Sequence, residues 1–172
     1  MKKILSSFVL ASAVLVYACN DGANDSDSQS AGDTTATTND NSGNNSGANA
    51  VMQKTINLGG DQEVPANNSG AKGTADVSYN KETKMLSYTV NYNGLTEKAS
   101  MAHIHGTAPK GANAGVVHDL TDKLQKETSG SFSDSVMIDG KLKEDSLLSG
   151  FYYFNIHTPK HPAGEIRGQI EF

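Results

Sequence analysis

Three histidines in two short motifs hold most of the chemical potential of this chain: Ala102-His103-Ile104-His105-Gly106 and Asn155-Ile156-His157-Thr158. A strand points successive side chains to opposite faces, so His103 and His105 share one face and Ile104 takes the other. Neutral imidazoles are good ligands for Zn²⁺ and Cu²⁺, and His-x-His on a strand sets two of them on one side of a single cation. His157 from a neighbouring strand would complete a facial set of three. The plainer alternative is that the rings hydrogen-bond backbone and carboxylates on a sheet face. The same alternation gathers Asn155 with His157, and Glu165 with Arg167 and Gln169, each opposite an apolar face.

Glu165 and Arg167 are expected to form an ion pair with a neighbouring strand, or Glu165 to orient a ligating imidazole. If the His157 segment and the Arg167 segment pair as a hairpin, Glu165 falls near Asn155 and Arg167 near Tyr153. A guanidinium over a tyrosine ring contributes about 0.5–1 kcal/mol at an exposed site, reason enough for the chain's single arginine. Glu63, just before Val64-Pro65, is a further acid within the same candidate group. His118 and His161 are less persuasive; His161 sits between two prolines and reads as a loop residue. No Ser-His-Asp order, phosphate loop or paired-carboxylate pattern points to an enzyme.

The elements that must position these residues are short and alternating, separated by Gly, Asn, Asp and Pro. Strands are expected at Gln53–Leu58, Gly73–Tyr79, Met85–Tyr92, Ser100–His105, Val116–Asp119, Gly130–Met137, Phe151–His157 and Gly164–Glu171. Asn80 to Thr83 suits a hairpin loop. Leu142–Ser149 is the one short helical candidate, with Gly150 placed to end it. About eight strands and little helix define an all-β domain, a single antiparallel β-sandwich or Greek-key barrel.

Ahead of this domain, residues 1–18 read as a secretory signal: Lys2 and Lys3, an apolar run from Ile4 to Val16, then Val16-Tyr-Ala-Cys19. The apolar run is about 13 residues, too short for a bilayer core of roughly 30 Å. A small residue before the chain's only cysteine resembles the bacterial lipoprotein signal, which implies lipidation at Cys19 and a cell-envelope location. Residues 19–50 are, after Cys19, Asn, Asp, Ser, Thr, Gly and Ala with one Gln, and include no aromatic residue and no aliphatic one larger than Ala. Such a segment cannot bury enough apolar surface to offset its backbone entropy and reads as a disordered tether. Residues 51–172 form the domain, with 14 acidic and 12 basic residues and no basic run, which argues against nucleic acid as a partner. The expected partners are the membrane, through the lipid, and an extracellular protein or surface ligand.

Taken in order, Leu58-Gly-Gly-Asp-Gln-Glu63-Val-Pro65, Gly73-Thr-Ala, Ala102-His-Ile-His-Gly106, Phe151-Tyr-Tyr-Phe-Asn-Ile-His157-Thr158 and Pro162-Ala-Gly-Glu-Ile-Arg-Gly-Gln-Ile170 resemble the CHRD domain. That resemblance implies an extracellular β-domain, with no catalytic residues to carry over. The His-x-His strand is also similar to the one that holds copper in copper/zinc superoxide dismutases, whose cysteines and long metal loop this chain lacks. The expected function is therefore a lipid-anchored binding module. The rival is a copper or zinc domain, redox-active in one version, built on His103, His105 and His157, with Asn155, Glu165, Arg167 and Glu63 in support. A purely structural envelope domain is the third reading.

Overall fold

The computed structural model describes residues 50–172; the signal segment, Cys19 and nearly all of the tether lie outside the described residues. Eight strands follow in order: β1 (Val51–Gly59), β2 (Lys72–Asn80), β3 (Met85–Asn93), β4 (Met101–Gly106), β5 (Val116–Asp119), β6 (Gly130–Met137), β7 (Tyr152–His157) and β8 (Ile166–Gln169). One short helix, α1 (Glu144–Leu148), precedes β7 and gives way to Gly150 at φ +70°. All strand pairs are antiparallel, within one sheet ordered β5-β4-β7-β8-β1-β2-β3-β6. The all-β expectation holds, and each expected strand is present within a few residues of its expected ends.

Strand alternation explains the long hairpins. Leu86, Tyr88, Val90 and Tyr92 of β3 are buried, as are Ala75, Val77 and Tyr79 of β2, while their neighbours face water or its margin. The Asn80 carboxamide accepts from the backbone N–H groups of Glu82 (2.9 Å) and Thr83 (3.0 Å), closing the turn between them. Whereas β1 pairs with β2 along its full length, it pairs with β8 at the single position Gly59–Arg167. The sheet folds over at that seam. Its two leaves, β1-β2-β3-β6 and β5-β4-β7-β8, meet across a common core. Tyr88 of one leaf packs edge-on against Phe154 of the other, ring centroids 5.1 Å apart.

The second leaf has two buried faces. Ala102, Ile104, Tyr152, Phe154, Ile156 and Ile166 fill the core, yet Tyr153, Asn155, His157, Arg167 and Gln169 on the opposite face are also within 5% of full burial. Loops cover that outer face. Glu63 reaches it from the segment after β1, Ala112 and Asn113 from the loop between β4 and β5, and Pro162 from the turn between β7 and β8. A polar interior therefore lies behind the apolar one.

Candidate metal centre

The register of β4 on β7 and β8 sets the site out in rows. His103 stands opposite Asn155, which stands opposite Arg167; His105 stands opposite Tyr153, which stands opposite Gln169; Met101 stands opposite His157. Directly opposed residues share a face, so the three histidines and the arginine lie on one side, as the strand alternation predicts. The rings lean together over the middle row. Ring centroids are 4.9 Å apart for His103 and His157, 5.4 Å for His103 and His105, and 5.9 Å for His105 and His157.

The hydrogen bonds decide which nitrogens are free. A carbonyl oxygen only accepts, so His105 Nδ1–H donates to Ala114 O (2.9 Å) and His157 Nδ1–H donates to Pro162 O (3.1 Å). Both rings are thereby fixed with lone pairs on Nε2. The Nε2 atom of His105 is buried without a partner. That of His157 meets His103 Nδ1 at 3.0 Å. His103 Nε2 faces the Asp119 carboxylate at 3.7 Å, from β5. With no cation present, a neutral His103 must give its proton to His157 Nε2 and turn a bare lone pair towards a carboxylate. A central cation removes the conflict, because His103 Nδ1 becomes a ligand and Nε2–H points at Asp119.

The distances suit an ion after a small closure. One ring nitrogen from each histidine lies within 4.8 Å of the others. Tetrahedral ligation at about 2.0–2.1 Å would set them about 3.3 Å apart, so His103 Nδ1 and His157 Nε2, 3.0 Å apart, already stand near that spacing and the widest pair has at most about 1.5 Å to close. Burial holds the rings neutral and ready to ligate. It pushes His157 down to about 4, with the two neighbouring imidazoles adding to the effect, and it lowers His103 and His105 as well.

The supporting residues divide. His105 stacks on Tyr153, centroids 4.9 Å apart and planes 7° apart, and the Arg167 guanidinium lies 3.5 Å over the same ring. Arg167 also donates to Ala112 O, Asn113 Oδ1 and Gln169 Oε1, so it braces the site and makes no contact with the imidazole nitrogens. Asn155 lies in the middle row but turns its carboxamide to Glu63, Nδ2 donating to Oε2 at 3.1 Å. Glu165 does not belong to the centre. It neither pairs with Arg167 nor orients an imidazole: its carboxylate accepts from Ser69 (2.7 Å), the Thr96 N–H (2.8 Å), the Thr96 hydroxyl (3.0 Å) and Thr158 (2.6 Å). Burial pushes its pKa up, but these donors together outweigh it and hold the carboxyl below its ordinary value. His118 stands opposite Ile104, on the other face, and His161 remains in the covering turn.

Asp119 and the carbonyls of Ala114 and Pro162 escape a reading of the sequence alone. Asp119 carries a usable signal, since it ends a short strand beside a histidine-bearing one. The carbonyls carry none, because every residue has one.

With this geometry in place, likeness to known proteins sharpens the class. The family model described as CHRD domain matches residues 54–170, and the chain belongs to that family. It is also similar to chordin of Danio rerio, 32% identical over 124 residues, an alignment that covers 67% of this chain and 12% of chordin. The chain thus spans a small part of that relative's length. No solved structure matches it.

Proposed function

We propose that this protein is a lipid-anchored envelope protein whose CHRD domain binds one transition-metal ion, zinc or copper. The ligands are His103 Nδ1, His105 Nε2 and His157 Nε2. The observation that carries this reading is the set of fixed tautomers: two rings have their outer nitrogens tied to backbone carbonyls, and the inner nitrogen of His105 is buried with no partner. An unsatisfied buried acceptor costs about 1–3 kcal/mol, which a ligated ion would recover. Asp119 takes the remaining N–H of His103, and the fourth coordination position faces outward. A protein or surface ligand is the second reading, favoured by a cleft of about 610 Å³ between β1 and β8, lined by Lys54, Asn57, Gln62, Lys110, Gln169 and Phe172 among others.

Metal titration of the purified protein followed by elemental analysis tests the proposal. One equivalent of Zn²⁺ or Cu²⁺ is expected at pH 7.5, and His105→Ala should abolish stoichiometric uptake while the far-ultraviolet spectrum stays unchanged. Binding should persist well below pH 6.5, since His157 protonates near 4 and the other two are lowered too, and should fade as the pH drops towards 4. Absence of uptake above pH 7 defeats the reading.

A further inference from the structure

Met101 has no partner that explains it. It begins β4 directly opposite His157, on the face that carries His103 and His105, and 40% of its surface meets solvent. The other methionines of the described strands, Met52, Met85 and Met137, lie in the opposite leaf. Met85 and Met137 stand opposite one another, and Met52 stands opposite Tyr79. Only Met101 shares a face with imidazoles.

We infer that Met101 supplies a thioether as the fourth ligand of the histidine centre, and that the completed site selects Cu(I). This rests on the three-histidine reading above and goes beyond it in naming the ion and the extra donor. The thioether is a soft, polarizable donor on an unbranched stem, well matched to Cu(I) and of little value to Zn²⁺. Across an antiparallel pair, directly opposed side chains start about 4.5–5.5 Å apart at Cβ, so the Met101 side chain begins next to His157.

Charge points the same way. Three imidazoles and a thioether are all neutral. The cost of desolvating an ion rises with the square of its charge, so a divalent ion in this half-covered site bears about four times the penalty of a monovalent one. The Arg167 guanidinium, 3.5 Å over the Tyr153 ring on which His105 also stacks, adds to the positive field. The Asp119 carboxylate opposes it from the exposed side, 3.7 Å from His103. A single positive charge is the one this balance accommodates best.

The test uses the full chain under reducing, oxygen-free conditions, with Cu(I) delivered from a chromophoric Cu(I) chelator and Zn²⁺ from a zinc indicator in parallel. Met101→Leu keeps the size and apolarity of the side chain and removes the sulfur. Cu(I) affinity should fall by about tenfold or more in this variant, while Zn²⁺ affinity stays within about twofold. X-ray absorption of the Cu(I) complex should show a sulfur neighbour in the native protein and none in the variant. A native complex without a sulfur neighbour, or equal Cu(I) affinity in the two proteins, overturns this inference and leaves the three-histidine site standing. A native protein that takes up neither Cu(I) nor Zn²⁺ overturns both.

Discussion

Glu63 and Asn155 present a chemical puzzle of their own. Asn155 Nδ2 donates to Glu63 Oε2, yet Glu63 Oε1 and Asn155 Oδ1 are both buried without a partner, and both lie beside Gly164. A protonated Glu63 is a donor as well as an acceptor, which suits a pocket that leaves the Asn155 Oδ1 acceptor without a partner. Burial raises its pKa to about 7, against the lowering effects of Asn155 and Arg167. The folded form thus holds this proton more tightly than the unfolded chain, whose ordinary value is 4.5. The resulting stability is fully present below pH 4.5 and is lost as the pH rises through 7. His157 acts oppositely: its folded value is depressed, so its contribution is present above 6.5 and is lost as the pH falls towards 4. Glu63→Gln, which stays neutral and can still accept from Asn155, should therefore be more stable than the native protein at pH 8, by on the order of 2 kcal/mol. The two should converge near pH 4.5. Urea denaturation at both values measures this, and equal stability at pH 8 would show that Glu63 ionises without cost. At this scale the three histidines were legible, because strand alternation depends on nothing distant. The isolation of Glu165 was not, because its hydroxyl donors come from residues 69, 96 and 158, far apart along the chain.

The β7–β8 turn decides more than its length suggests. The sequence reading set Glu165 opposite Asn155, but the observed partner of Asn155 is Arg167. The turn is longer than expected, and the slip is two residues. A slip of two keeps every side chain on its expected face and changes only its neighbours. That is why the polar face was correctly composed while the cross-strand neighbours within it were not. Gly164 makes this turn possible. Its φ of +135° is open to glycine and strained for other residues, and a Cβ there would meet Glu63 Oε1 and Asn155 Nδ2 at 2.6 Å. Gly164→Ala should destabilise the domain by about 2 kcal/mol or more through strain and collision together. Thermal unfolding would reveal it, and an unchanged midpoint would mean that the turn has another conformation open to it.

For the molecule as a whole, the class of fold could be read from eight alternating segments, but the burial of both faces of one leaf could not. Composition marks Asn155, His157, Arg167 and Gln169 as surface residues, and only the loops folded over them make an interior. The proposed anchor is a matter of the whole chain too, since Cys19 would tie the domain to a membrane. Cys19→Ala is expected to move the protein from the detergent phase to the aqueous or unprocessed pool in phase partitioning. Retention in the detergent phase with a mature N-terminus would remove the lipid from the account. One consequence follows from the single Gly59–Arg167 pair that joins β1 to β8 in the ladder. It works as the spine of a book. The proposed ligands Met101, His103, His105 and His157 are all printed on one page, carried by β4 and β7, and none comes from across the fold. A loosening of the core between the covers would therefore not by itself draw the proposed ligands apart. If the tether and the ion are as proposed, a pull on the chain would open the seam before it opened the site.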